Sequence, residues 1–314
     1  MAKYFITGGA GFIGSHVAKR LVGQGQDVVI YDNLLTGNKE NLKEVQGSIS
    51  FLEGDVRDQP ALLKGSNGCD YILHFAALPS VPLSVAEPFL THEINLTGTL
   101  NVLLAAKANK ARRVVFASSS AVYGDLEPGK PKQEFMPPRP QSPYGTHKVA
   151  GEFYLKTFFE NYGLETVSLR FFNIFGPCQD PNSPYSAVIS IFIDRSIKGL
   201  SPVVHGDGLQ SRDFTYVANV VDACECACNA DAAGVAGKVF NIGCGVSINL
   251  LELLEALGTS LGKDLLPEFT ESRPGDIKHS WADISLARKH LGYEPRTDFP
   301  NGLKETVAYF RGIV

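Results

Sequence analysis

The sequence predicts an α/β protein: a doubly wound parallel sheet, followed by a smaller α/β region. Three observations predict it. Short apolar runs without alternation recur through the first half, as strands buried on both faces require. Stretches of helical periodicity separate them, the kind of connection that parallel strands need. A glycine-rich turn follows the first apolar run and opens the first helical stretch.

The elements follow in order. "KYFITG" is an apolar strand, and "FIGSHVAKRLVGQG" is a helix that ends in glycine. "DVVIYD" and "ISFLEGD" are the second and third strands, "YILHFAA" the fourth and "RRVVFASSS" the fifth. A long helical pattern over about 87–109 lies between the last two. "YGTHKVAGEFYLKTFFENYG" is another helix, and the strand "ETVSLRFF" follows it. After residue 173 the texture changes. "NIFGPCQDPNSPYS" reads as a long loop, and short helices and strands alternate with loops such as "HGDGLQSRDF" and "ESRPGDIKHS". We expect a first domain over 1–172 and a second over 173–314, with part of 212–245 packing back on the first. No repeat, low-complexity tract or flexible linker separates them, so the two should pack directly.

The 314 residues are 44% hydrophobic and 20% charged, enough for an ample core. A net charge of −4 with scattered Lys and Arg argues against nucleic acid. No apolar run approaches the roughly 20 residues of a membrane span. The start "MAKYFITGG" runs from one strand into glycines and does not read as a signal peptide. A cytoplasmic location is the expectation. Three of the six cysteines form C-x-C-x-C in "DACECACNA". On a helix Cys224 and Cys228 share a face and Cys226 does not. Buried reduced thiols explain them better than a metal, since no histidine or further C-x-x-C lies nearby.

"ITGGAGFIGSH" places Gly8, Gly11 and Gly14 between a strand and a helix, the context in which such a triplet binds a dinucleotide. Gly8 permits the tight turn. Gly11 lets the backbone approach a pyrophosphate at the helix N-terminus, where free N–H groups and the dipole favour an anion. Gly14 lets the helix pack on the sheet. Asp32 ends the second strand, where a carboxylate accepts from ribose hydroxyls and repels a 2′-phosphate. No arginine follows it in "YDNLLTGN", which favours NAD over NADP. This is a Rossmann-type arrangement, with ligands beyond the C-terminal ends of the strands.

Tyr144 and Lys148 stand four apart in "YGTHK", just after the turn-like "PQSP", so they share a face at a helix start. Alone, that spacing suits a tyrosine and a solvated lysine equally well. The chemistry of the pair is more specific. A free phenol with pKa about 10 is a poor base at neutral pH, and a nearby ammonium favours the phenolate. We therefore expect Lys148 to assist Tyr144 as a general base. His147, between them, should face away, and no role is assigned to it.

"TGGAGFIG", "YDN", "GDVRD", "HFAA", "SSSAVYG" and "YGTHK", in this order, resemble the extended short-chain dehydrogenase/reductase family. Within that family the chain is similar to UDP-sugar 4-epimerases, nearly end to end. The resemblance implies NAD as cofactor and a wider set of contacts. Phe12 and Ile13 belong to the glycine turn, and Asn33, Thr36 and Gly37 follow Asp32. Asp55 and Val56 would flank the adenine, while Phe75, Ala76 and Ala77 line the path toward the nicotinamide. Asn95 would sit behind the catalytic helix, with Ser118 and Phe171 at strand ends. Lys148 would also hydrogen-bond the nicotinamide ribose. Tyr144 would remove a proton from the sugar hydroxyl while C4 gives a hydride to the cofactor, with Ser119 relaying the proton.

The resemblance also implies a UDP-sugar site. Ser119, Ser120 and Tyr144 would meet the sugar, and Asn173 and Asp276 the sugar-diphosphate region. Ala187 and Val188 would border the uracil, with His205 beyond it. Arg212 and Arg273 would clamp the phosphates, although surface ion pairs are the other reading of these arginines. Sugar 4,6-dehydratases resemble this chain but carry an Asp-Glu pair at Ser120-Ala121, and UDP-glucuronate decarboxylases carry a Glu at Ala121. With no carboxylate there, redox at C4 alone is expected, hence epimerisation. Ser280 would wall the sugar pocket where UDP-glucose-restricted epimerases have a tyrosine. A serine leaves room for a 2-N-acetyl group, which Ser80 could hydrogen-bond; neighbours could instead fill that space. We expect UDP-GlcNAc/UDP-GalNAc as substrates, with UDP-Glc/UDP-Gal also accepted. The alternatives are a UDP-glucose 4-epimerase without N-acetyl activity, a UDP-glucuronate 4-epimerase or decarboxylase, and a non-catalytic NAD-binding regulator. A homodimer through the helices near 87–109 and 144–162 is expected.

Overall fold

The computed structural model describes residues 1–127, 129–181, 188–272 and 277–313. Its centre is a parallel sheet containing β1 (Lys3–Thr7), β2 (Asp27–Asp32), β3 (Ser50–Glu53), β4 (Tyr71–His74), β5 (Arg113–Ser119) and β6 (Glu165–Phe171). All but β3 are buried almost throughout, which is why their residues run largely apolar without alternation. The short strands β7 (Ile174–Phe175), β8 (Val203–His205), β9 (Ser211–Arg212) and β10 (Thr215–Tyr216) come next. β11 (Lys238–Ile242) then returns to the main sheet as its seventh strand. The order β11-β6-β5-β4-β1-β2-β3 reverses direction between β1 and β4, so the crevice for a ligand opens beyond Thr7 and His74.

Helices cover both faces. Those of the first half are α1 (Phe12–Gly23), α2 (Gln59–Gly65), α3 (Val81–Ala86), α4 (Pro88–His92), α5 (Gly98–Ala108) and α6 (Pro143–Tyr162). Two apolar clusters lie on opposite sides of the sheet. Ile6, Ile30, Val115 and Leu169 face one, and Phe5, Val29, Ile72 and Phe116 face the other. Each fully buried side chain of this kind stabilises the fold by about 1.5–3 kcal/mol.

The long helix expected over about 87–109 is broken. α4 and α5 are joined by a five-residue π turn, Glu93–Thr97, and α3 precedes them as a separate helix. Pro88 starts α4, because its missing N–H costs nothing at a first turn. The π turn carries Asn95, whose side chain donates to Leu78 O and accepts from Leu78 N. Periodicity alone does not reveal one inserted residue.

Beyond β10, α8 (Val217–Asn229) follows α7 (Val188–Ile197) and lies against α1 and β5. Its Cys224 and Cys228 are buried and Cys226 half-buried, all as free thiols. Arg20 of α1 reaches Asp222 at 2.8 Å and Glu225 at 2.5 Å on α8. α9 (Ala232–Val235) leads to β11. β12 (Ile248–Asn249), β13 (Glu268–Thr270) and β14 (His279–Ser280) complete the strands. α10 (Leu250–Leu261), α11 (Ser285–Leu291) and α12 (Phe299–Ile313) complete the helices. A third apolar cluster, including Phe175, Phe192, Leu253 and Leu303, holds α7, α10 and α12 together, and Phe12 of the glycine turn packs against it.

Candidate active site

The glycine turn is shaped for a close ligand. Gly8 has φ +68°, and a Cβ there would stand 2.6 Å from Ala76 N, across the reversal point of the sheet. Gly11 is the N-cap of α1 and no side chain caps the helix, so its first-turn amides, including those of Phe12 and Ile13, are left for an anion. Any side chain on Gly14 would collide with the Gly8–Gly9 backbone.

Asp32 is buried and braces this turn. Its carboxylate accepts from Ala10 N at 2.9 Å and Leu34 N at 2.8 Å. Burial raises its pKa, and these two backbone bonds oppose the rise. The remaining lone pairs suit ribose hydroxyls. Gly37 is confined beside it, since a Cβ would press on Asp32 Oδ1 at 2.8 Å. Thr36 is exposed next to Gly37. Asn33 Nδ2 donates to Asp55 at 2.8 Å, and Arg57 grips the same carboxylate from its backbone and side chain. The Arg57 contact holds the Asp55 pKa down at about 2. Val56 is buried, while Phe75, Ala76 and Ala77 are half-buried at the end of β4. The turn, the uncapped helix and the acidic strand end fit a dinucleotide.

Tyr144, Ser119 and Lys148 come together where α6 crosses the end of β5. Ser142 caps α6 by accepting from Gly145 N at 3.2 Å, and Pro143 opens it. Such a cap contributes about 1 kcal/mol and fixes where Tyr144 falls. A close approach of the helix needs small residues. A Cβ on Gly145 would sit 2.8 Å from Ala121 O, and one on Gly151 2.8 Å from the Phe116 ring. The Ser119 side chain faces the Tyr144 phenol and acts to lower its pKa, and its Oγ accepts from Ala121 N at 3.1 Å. Lys148 Nζ donates to Ala117 O at 2.7 Å and lies 4.7 Å above the Phe116 ring.

Lys148 does not make Tyr144 acidic in the protein alone. Burial raises the phenol above its ordinary pKa, opposed only by Ser119. Burial also pulls Lys148 down to about 7, with the Glu152 carboxylate opposing. Desolvation penalises both charged forms and is the largest cause of both shifts.

Other candidate positions make contacts within the chain. Ser80 is buried, and its Oγ caps α3 by accepting from Leu83 N at 3.0 Å, which uses one of its two lone pairs. Asn95 spends its amide on Leu78. Ser118 is buried and donates to Glu152 at 2.5 Å. His147 packs edge-on to His92 at 5.4 Å, and burial takes its pKa to about 4. Ser120 is half-buried in the short turn after β5, and Phe171 is buried at the end of β6.

The second half presents a separate group of candidates. Asn173 has φ +25°, a conformation rare outside glycine and often held at functional sites, and its carbonyl accepts from Thr215 N at 3.2 Å. Val188 opens α7, and His205 Nδ1 shares a 2.7 Å hydrogen bond with Thr270 Oγ1. Arg212 and Ser280 are register partners across β9 and β14. Buried Asp213 fixes this region by accepting from Cys244 N and Gly245 N, and burial raises it to about 6. Ala187, Arg273 and Asp276 lie outside the described residues. The sequence reading missed Glu152 and Arg170. Their signal was present: a carboxylate four residues after Lys148, and an arginine inside the apolar strand "SLRFF".

A glycine turn at the reversal point of a parallel sheet, beside a Ser-Tyr-Lys cluster, defines a dinucleotide-dependent enzyme of the extended short-chain dehydrogenase/reductase class. The model of the NAD dependent epimerase/dehydratase family matches residues 4–243, and the chain belongs to that family. It is similar to a UDP-N-acetylglucosamine 4-epimerase from Methanobrevibacter ruminantium M1, solved in complex with UDP-N-acetylmuramic acid. That match has 42% identity, a TM-score of 0.95 and coverage of 100% of this chain and 99% of the other. A Thermus thermophilus UDP-glucose 4-epimerase, solved with NAD, matches with 36% identity, a TM-score of 0.89 and coverage of 99% and 100%. A UDP-glucose 4-epimerase from Mycolicibacterium smegmatis is 36% identical over 313 residues, 98% of each chain. The enzyme uses NAD. Among the described residues no helix is long and apolar enough to cross a membrane.

Proposed function

We propose that the protein interconverts UDP-hexoses epimeric at C4, with UDP-GlcNAc/UDP-GalNAc as preferred substrates and UDP-Glc/UDP-Gal also accepted. The observation that carries the reading is the Ser119–Tyr144–Lys148 cluster beside Ser120-Ala121, a position without a carboxylate. Tyr144 takes the proton of the sugar 4-hydroxyl with Ser119 as relay, and returns it when the hydroxyl is restored. Lys148, tethered to Ala117 O, holds donors toward the cofactor ribose. Bound NAD supplies reversible hydride acceptance at C4 and, when oxidised, a positive charge that favours the phenolate. The glycine turn, Asp32 and the Asp55 cluster hold the cofactor. Arg212 holds the diphosphate through its guanidinium fork. With no acid poised at Ala121, water is not eliminated; the keto sugar would turn in the pocket and regain the hydride at the opposite face of C4 as Tyr144 returns the proton, which inverts that centre.

Incubation of the purified protein with each of the four UDP-sugars and no added NAD tests this. Product should form in every case, because the cofactor is retained and regenerated. Full dependence on added NAD, or activity with NADP alone, would count against the reading.

The same reading includes a homodimer of twofold symmetry. Phe89 of α4 is 75% exposed and Phe153 of α6 60% exposed, and Leu104 and Tyr154 are exposed nearby on α5 and α6. Large apolar groups on adjacent helices suit a self-complementary face. Light scattering at micromolar concentration should report a dimer; a monomer refutes this part.

A further inference from the structure

Behind the candidate site, α6 is pinned to three successive residues at the end of β5. Tyr144 faces Ser119, Lys148 donates to Ala117 O, and Glu152 accepts from Ser118. The three helix residues are four apart and form one stripe. The first two act in the proposed reaction, and the third has been given no part in it.

Glu152 is 8% exposed, so its charge must be compensated. Arg170 of β6 does so at both oxygens, with Nε to Oε1 at 2.8 Å and Nη2 to Oε2 at 2.7 Å. Arg170 is register-matched to Ser118 on β5 and to Asn241 on β11. These residues form one polar rung, immediately before the rung that carries Ser119. Tyr123 closes it: Arg170 Nη1 donates to Tyr123 OH at 2.8 Å, and that hydroxyl donates to Asn241 Oδ1 at 2.7 Å. For stability alone an apolar pair would serve as well, since buried ion pairs seldom outperform apolar packing. What a bidentate pair adds is register, because its directional bonds resist the small slips that apolar contacts tolerate.

We propose that Glu152 is a positioning residue. By joining Ser118 to Arg170 it sets the register of α6 against the end of β5, and with it the Ser119–Tyr144 contact used for proton transfer. The proposal rests on the 4-epimerase reading above. A displacement near 1 Å in such a contact costs up to about 10²-fold in rate.

The test uses the holoenzyme. Ser118→Ala removes the bond between Glu152 and the strand while leaving the ion pair with Arg170. Turnover should fall on the order of 10-fold, with KM for the UDP-sugar and the content of bound NAD unchanged within about two-fold. Ser118→Thr, which restores a hydroxyl, should recover part of the loss. Glu152→Gln should fall further because Arg170 is left uncompensated; if it does not fold, the two serine variants decide. Unchanged turnover in Ser118→Ala overturns the proposal. So does loss of NAD, which would make Ser118 a direct cofactor contact. Wild-type protein that converts no UDP-sugar overturns the 4-epimerase reading, and the proposal with it.

Discussion

Tyr144→Phe should lower turnover by at least ~10²-fold, the usual scale of general base catalysis. The substitution removes one oxygen and keeps the ring that packs in the buried pocket, so the fold should be unaffected. Affinity for the UDP-sugar should also persist, because its nucleotide contacts are assigned to the second half of the chain. Ser119→Ala should be slow but less so, since water can replace the hydroxyl. The structure sharpens this expectation. Burial holds the phenol above its ordinary range, and Ser119 is the group of the chain that opposes the rise. Removing Ser119 should therefore leave less phenolate at neutral pH as well as a broken relay. Initial rates with calorimetric binding separate the two effects. Near-normal turnover in Tyr144→Phe would sink the mechanism.

Ser280→Tyr should abolish most activity on UDP-GlcNAc and UDP-GalNAc while UDP-Glc and UDP-Gal still turn over. Ser280 is 8% exposed on β14, and its carbonyl accepts from Asp213 N at 2.9 Å. The backbone is thus held, and a larger side chain must enter the adjoining space. An aromatic ring there would collide with an N-acetyl group and spare a hydroxyl, which rejects one substrate without new attraction to the other. We expect the ratio of kcat/KM between the two classes to change by at least about 10²-fold, the upper part of the range that a single methylene is worth. The comparison is internal, so general damage lowers both classes alike. Equal loss for both, or wild-type protein that never accepts N-acetylated sugars, would leave a UDP-glucose 4-epimerase.

The sequence by itself determined the features written in local patterns. Apolar runs marked β1, β2, β4, β5 and β6 because strands buried on both faces cannot alternate. Gly8, Gly11 and Gly14 marked the cofactor turn because backbone φ and close approach exclude other residues there. The four-residue spacing of Tyr144 and Lys148 put them on one face of α6. Only the tertiary structure decided what depends on partners distant in sequence. Whether Ser80 caps a helix or faces a ligand depends on where α3 begins. A single inserted residue at Glu93–Thr97 aims Asn95 at Leu78, and no periodicity predicts it. The rung of Ser118, Arg170 and Asn241 exists because β5, β6 and β11 pair in one register, though its members lie up to 123 positions apart in the chain. The direction of the Tyr144 shift in the protein alone is decided in the same way. Residue spacing reports the neighbouring charge, but desolvation depends on everything packed around the phenol, and only the folded chain assembles that shell.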